Sequence, residues 1–225
     1  MFRTKICGIT SVYDCQACID AGAEAIGLNF YPPSPRFLDD SGTVAVEISE
    51  ISRRKLNTVG LWVNADINEI ARTADALNLT YVQLHGDEDP AYIKRLASLL
   101  GTTQILKAFR LGRDDAVSIL DFVSACEIFG VRLAGIIVDA YDDPDNYGGT
   151  GKTIDWDSFS ALTPLLEGYS LILAGGLCDS NVAEAIRTAR PHGVDVASGV
   201  ESEPGRKDPK KVQTFVTNAT AALNT

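Results

Sequence analysis

The stretch Lys5-Ile6-Cys7-Gly8-Ile9-Thr10 closes a short apolar run and opens a helical pattern. Phe2 to Cys7 reads as a strand. Ser11 is placed to cap a helix carrying Val12, Cys15, Cys18 and Ile19 on one face, and Gly22 is placed to end it. Cys7 therefore stands at the carboxyl exit of the strand, the edge where parallel α/β proteins hold their ligands. A thiol there is a base, a nucleophile or a small packed side chain, and the rest of the chain has to decide.

The same strand-then-helix unit repeats outward from it. Ala25 to Phe30 is a second strand, followed by the loop Tyr31-Pro32-Pro33-Ser34-Pro35-Arg36-Phe37 and a helix marked by Val44, Ile48 and Ile51. Thr58 to Val63 is a third strand, and Asp66 caps the helix of Ile67, Ile70, Ala74 and Leu77. Tyr81 to Leu84 delivers His85, after which Asp89-Pro90 starts a helix that Gly101 stops. Gln104 to Phe109 ends at Arg110 and precedes a helix with Val117, Leu120 and Val123. Leu133 to Val138 ends at Asp139, and a glycine-rich loop, Tyr141 through Lys152, leads to a short helix near Asp155. Tyr169 to Ala174 is followed by Gly175-Gly176 and a helix capped within Asp179 to Asn181. Val194 to Ala197 is followed by Ser198-Gly199, and Asp208-Pro209 opens the last helix.

Eight units in strict alternation, most with continuous apolar strands, require parallel pairing with helical crossovers. Eight such units close into a (β/α)8 TIM barrel, one domain over residues 1–225. The doubly wound open sheet is the alternative, but no G-x-G-x-x-G follows the first strand.

Composition narrows the partners. The chain has 225 residues, 45% hydrophobic, with a net charge of −10 and no basic stripe, which argues against nucleic acid and anionic membranes. No signal-like or membrane-spanning apolar run is present, so a cytoplasmic location is expected. Five cysteines fit reduced thiols. Cys15-x-x-Cys18 falls inside a helical pattern and reads as core packing, and with only two histidines, His85 and His192, no metal site is expected. The helical exterior shows no extra apolar surface, so a monomer is expected, with a homodimer as the alternative.

Polar and glycine positions gather after the strands, as in a barrel enzyme. Gly175-Gly176 and Ser198-Gly199 follow the seventh and eighth strands, the recurrent phosphate position of this fold, and the helix start at Asp179 would add its dipole. Gly149 and Gly151 lie in the long loop after the sixth strand. Asp139 shares the strand-end edge with Cys7, which makes an acid/base pair of the two. Arg36, on a proline-rich loop, is suited to fork a carboxylate.

KICGIT at 5–10, SPRF at 34–37, VGLWVN at 59–64, VQLHGDE at 82–88, GGTGKTIDW at 148–156, LAGGL at 173–177 and VDVASGVE at 194–201 together resemble the phosphoribosylanthranilate isomerase family. The resemblance spans nearly the whole chain and departs from the family pattern at Ala197. It implies an Amadori rearrangement of N-(5-phosphoribosyl)anthranilate, a small phosphosugar substrate, in tryptophan biosynthesis, without metal or organic cofactor. By position, Asp139 resembles the general acid at the furanose oxygen and Cys7 the base that removes the C2′ proton. Arg36 would hold the anthranilate carboxylate, His85 and Asp195 resemble substrate-side positions together with Gly149 and Gly151, and the glycines after strands seven and eight would hold the phosphate.

Those roles make opposite electrostatic demands. A free thiol titrates near ~8.5, and bringing it to ~7 takes about 2 kcal/mol, which Arg36 and amide dipoles are expected to supply. Asp139 must instead keep its proton, so burial at the end of an apolar strand is expected to raise it. Three other readings stand beside this one. The related aminoaldose isomerase of histidine biosynthesis, or a bifunctional form, leans on aspartates at strand ends one and five, where this chain has Cys7 and Phe109-Arg110. An indole-glycerol-phosphate-synthase-like lyase would use several lysines, of which only Lys107 is comparably placed. A non-catalytic phosphometabolite binder would not need both Cys7 and Asp139.

Overall fold

Eight parallel strands pair in chain order and close on themselves, β1 bonding both β2 and β8. They are β1 (Thr4–Cys7), β2 (Ala25–Asn29), β3 (Asn57–Trp62), β4 (Tyr81–Leu84), β5 (Gln104–Leu111), β6 (Gly135–Ala140), β7 (Ser170–Leu173) and β8 (Gly193–Val196). The helices between and after them are α1 (Val12–Asp20), α2 (Thr43–Ser52), α3 (Ile67–Ala76), α4 (Pro90–Ala97), α5 (Ala116–Ile128), α6 (Trp156–Leu162), α7 (Val182–Ala189) and α8 (Pro209–Leu223). The computed structural model describes residues 1–140 and 155–225. Gly149, Gly151 and most of the long loop after β6 lie outside the described residues.

Local chemistry starts most of the helices. The side chains of Ser11, Asp66, Asp89, Asp115, Asp155 and Asp208 each accept a hydrogen bond from a first-turn backbone N–H, satisfying donors that have no partner within the helix. Cys15 and Cys18 are packed on the buried face of α1, where burial pushes both thiols up, Cys15 to about 12. The C-x-x-C is core.

Strand alternation sorts side chains into two layers. Ile6, Ile26, Leu28, Trp62, Val82 and Leu84 pack outward beneath the helices, while Phe2, Val59, Tyr81, Leu106, Ile137 and Ile172 fill the barrel floor. Each such buried side chain contributes roughly 1.5–3 kcal/mol. Above that floor the inward positions turn polar, with Lys5, Cys7, Gln83, Asp139 and Asp195 all buried.

Several boundaries differ from the sequence reading. β6 continues through Asp139 because β5 runs on to Leu111 and the two remain in register, Arg110 opposite Asp139. Asp139 is thus a strand residue with its backbone held on β5. α7 begins at Val182, so its dipole does not start at Asp179. The Asn181 side chain staples the preceding turn instead, accepting from the Cys178 N–H at 2.8 Å and donating to the Gly176 carbonyl at 3.0 Å. After β8 the chain makes a short 3-10 turn, Ser198–Val200, then an antiparallel hairpin of β9 (Glu201–Glu203) and β10 (Arg206–Lys207), which the sequence pattern did not announce. The exterior also carries apolar side chains that the sequence reading missed: Val117 and Ile128 at the two ends of α5 are 63% and 85% exposed.

Candidate active site

The carboxyl mouth of the barrel holds a cavity lined by Cys7 from β1, Asn29 and Arg36 around the β2–α2 loop, Gln83 and His85 from the end of β4, and Asp139 from β6. Gly175 and Gly176 after β7 and Asp195 and Ser198 at the end of β8 complete it. The structure therefore gathers Cys7, Arg36, His85, Asp139, Asp195, Gly175, Gly176 and Ser198 around one space. Gly199 is not on that wall. A Cβ on it would stand 1.9 Å from the Leu177 carbonyl oxygen, so its bare backbone is what lets the loops after β7 and β8 touch. Gly175 and Gly176 have φ of 84° and 62°, a left-handed pair that side chains disfavour. At Gly175 a Cβ would also meet the Ala140 nitrogen at 2.6 Å.

Asp139 is buried, and one carboxyl oxygen accepts the Ala140 N–H at 2.8 Å. Burial pushes the carboxyl up to about 6, the Ala140 bond opposing, with Asp195 adding to the rise. At pH 7 roughly a tenth of such a group keeps its proton, against about a thousandth at the ordinary value. His85 Nε2 lies 3.6 Å from the other Asp139 oxygen. Burial, then the charges of Lys107, Arg110 and Lys5, push the imidazole down to about 3, so it is neutral and the pair is not ionic. Neither ring nitrogen has a hydrogen-bond partner among the described residues, which leaves His85 open to a ligand.

Burial raises the Cys7 thiol, and the charge that counteracts this most is Lys5. Lys5 is two residues before Cys7 on β1 and so faces the same way; its Nζ bonds Asp195 Oδ2 at 2.8 Å, with no exposure of the lysine side chain. Arg36 was expected to lower the thiol; its charge does face Cys7, but its hydrogen bonds go to Glu201 and Lys5 has the larger effect on the thiol. Arg36 Nε and Nη2 donate to Glu201 Oε1 and Oε2, both at 2.8 Å, and Lys207 Nζ donates to Glu201 Oε1 at 2.7 Å. Burial alone would raise Glu201, and these two cations hold it below the usual carboxylate range. Gly8 sits under the guanidinium stem, with φ of 75° and no room for a Cβ, which would lie 2.5 Å from Arg36 Cδ. Ser34 Oγ accepts from the Arg36 N–H at 3.1 Å and from Asn29 Nδ2 at 3.0 Å, which shapes the loop that carries Arg36.

Residues 4–218 match the family described as N-(5'phosphoribosyl)anthranilate (PRA) isomerase. The chain belongs to that family. A curated N-(5'-phosphoribosyl)anthranilate isomerase of Trichlorobacter lovleyi is 42% identical over 99% of this chain and 100% of its own length. The crystal structure of phosphoribosyl anthranilate isomerase from Thermotoga maritima superimposes with a TM-score of 0.81 at 32% identity, covering 98% of this chain and 100% of that one. A further structure of the enzyme, in complex with reduced 1-(o-carboxyphenylamino)-1-deoxyribulose 5-phosphate, has a TM-score of 0.77 at 30% identity over 98% and 100% of the two chains.

Membership in the phosphoribosylanthranilate isomerase family sets aside the histidine-pathway and lyase readings. Lys107, the residue the lyase would have needed, bonds the Gly86 carbonyl at 2.8 Å and Glu88 at 3.2 Å, and props the β4–α4 loop. Sequence reasoning overlooked Lys5, Gln83, Glu201 and Lys207. For Lys5 a signal existed, the two-residue spacing from Cys7. For Glu201 and Lys207 none did, because their pairing depends on the hairpin. Among the described residues no group of three or more His, Cys, Asp or Glu side chains is arranged to hold a metal ion, and no helix is long and apolar enough to cross a membrane.

Proposed function

We propose that Cys7 and Asp139 carry out the family reaction as base and acid on opposite sides of one bound sugar. The protein is an isomerase of tryptophan biosynthesis that converts N-(5'-phosphoribosyl)anthranilate to 1-(2-carboxyphenylamino)-1-deoxyribulose 5-phosphate. The observation that carries the residue assignment is that a buried carboxyl with its proton affinity raised and a thiol beside a buried ammonium line the same cavity from different strands.

In this reading Asp139 donates its proton to the furanose ring oxygen as the bond from that oxygen to C1′ breaks. The anthranilate nitrogen's lone pair forms the Schiff base. The Cys7 thiolate then takes the C2′ proton, and the C–H electron pair becomes the C1′–C2′ double bond of the enol amine. Return of a proton to C1′ and loss of the enol proton give the ketone, so atoms and charge balance overall. Arg36 holds the anthranilate carboxylate with the Nη1–Nη2 end of its fork, since Glu201 occupies the Nε–Nη2 edge. Gly175, Gly176 and Ser198 offer backbone N–H groups to the phosphate, with Gly199 keeping the two loops together. His85, neutral, and Asp195 stand at the sugar. Gly149 and Gly151 are assigned to the substrate from the sequence alone.

The test is the decay of substrate fluorescence on adding protein. Cys7→Ala and Asp139→Asn are each expected to lose most of the turnover with KM little changed. A Cys7→Ala protein that turns over at the parent kcat removes the base assignment.

A further inference from the structure

We propose that Lys5 is the positioning residue that makes the thiolate of Cys7 accessible, and that Asp195 tunes it by competing for the same ammonium. This rests on Cys7 being the base. Three geometric facts carry it. Lys5 and Cys7 alternate on β1, so both face into the barrel. Lys5 pairs in register with Asp195 of β8, and its Nζ reaches Asp195 Oδ2 at 2.8 Å in a fully buried site. On the other side, Cys7 pairs in register with Gly27 of β2, and a Cβ there would lie 2.7 Å from Cys7 Sγ and 3.1 Å from Lys5 Nζ. The sulfur and the ammonium therefore converge over the one position where β2 has no side chain.

Lys207 and Arg36 also act on the thiol through their charge, Lys207 less than Lys5, but their hydrogen bonds go to a different anion. Arg36 and Lys207 share the Glu201 carboxylate, and Lys207 also donates to the Ala197 carbonyl at 3.1 Å. Asp195 uses one oxygen on Lys5, while the other is buried without a hydrogen bond among the described residues. One ammonium thus stands between a carboxylate and a thiolate, and withdrawing the Asp195 charge removes its repulsion of the thiolate and frees an ammonium proton to bond the sulfur. Among the described residues, the charged and titratable groups facing this pair are Asp195 from β8, Asp139 from β6, His85 after β4, Lys207 from β10 and Arg36 before α2; β2 contributes no charged side chain.

The experiment is the pH dependence of Cys7 alkylation by iodoacetamide without substrate, read on the Cys7 peptide by mass spectrometry, with the partly exposed Cys178 as an internal reference. Lys5→Met is expected to move the Cys7 midpoint up by at least about one pH unit, a tenfold slower alkylation below the midpoint. Asp195→Asn is expected to move it down. Cys178 stays fixed in both, and the alkaline limb of kcat/KM moves in the same two directions. If Lys5→Met does not fold, Lys5→Met with Asp195→Asn replaces the ion pair by two neutral groups, and its midpoint is compared with Asp195→Asn alone. Midpoints that do not move, or that move the same way in Lys5→Met and Asp195→Asn, overturn the proposal and leave Lys5 as a structural ion. Alkylation reads the thiol and turnover of Cys7→Ala reads the base, so opposite midpoint shifts alongside an active Cys7→Ala would discard the base and retain the ammonium–thiolate coupling.

Discussion

Arg36 and Glu201 meet edge to edge, with both oxygens of the carboxylate 2.8 Å from the guanidinium, across 165 residues of chain. The pair ties the β2–α2 loop to the hairpin after β8. Thr10, whose Oγ1 bonds the Gly205 carbonyl at 2.5 Å, fixes the tip of the same hairpin. The guanidinium fork is therefore already oriented toward the cavity mouth before any ligand arrives.

Replacing that orienting group should act on binding more than on chemistry. Glu201→Gln is expected to raise KM about tenfold, the loss of one charge-assisted hydrogen bond, with a smaller change in kcat. It also leaves Lys207 buried without its anion, a cost of about 3–5 kcal/mol. Steady-state kinetics and urea unfolding check the two parts. An unchanged KM in a folded variant would mean that Arg36 does not receive the substrate carboxylate.

The pH profile should show the acid and the base in inverted order. Asp139 sits at about 6, whereas burial pushes the Cys7 thiol above its ordinary value. Below pH 6 Asp139 is protonated and the thiolate fraction grows with pH, so kcat/KM rises. Above about 6 the loss of acid and the gain of base cancel, giving a plateau that ends only near the thiol's own pKa. The residual activity of Asp139→Asn is expected to lack the limb near pH 6. A plain optimum at 7 with steep sides would contradict this order.

The same carboxyl should cost stability where it is ionised. Its folded-state value lies above the unfolded one, so its favourable contribution is complete at low pH and disappears as pH rises from about 4 through 6. The difference is about 3 kcal/mol. Asp139→Asn is therefore expected to be more stable than the parent at pH 8 by an amount of that order, and to lose the advantage near pH 4. Paired thermal melts at the two pH values measure it.

Gly199→Ala tests the phosphate end. Its Cβ would collide with backbone rather than with a side chain that can turn away, so the loops after β7 and β8 must separate. The expected result is a fold that survives with about 1–3 kcal/mol less stability, and weaker competitive inhibition by inorganic phosphate. Inhibition at the parental strength would place the anion elsewhere.

How much of this was legible beforehand follows the range of the interactions. Continuous apolar runs, capping aspartates and proline at first turns act within a few residues, so the alternation and the barrel could be counted from the chain. Small offsets came from pairing: β6 reaches Asp139 because β5 carries it there. The hairpin at 201–207 is short, polar and held by Arg36 and Thr10, neither of which is near in sequence, so no local pattern marks it.

The sequence by itself determined the eight units, the edge at which chemistry gathers, and the residue types present there, because periodicity and turn chemistry are written locally. Only the tertiary structure decided which charge meets which. It paired Lys5 with Asp195 across 190 residues, beside the thiol on which Lys5 is the strongest favourable charge, and it gave the hydrogen bonds of Arg36 to Glu201. Barrel closure brings β1 against β8, and in a buried space each ion must find its compensating partner among whatever closure has placed within reach.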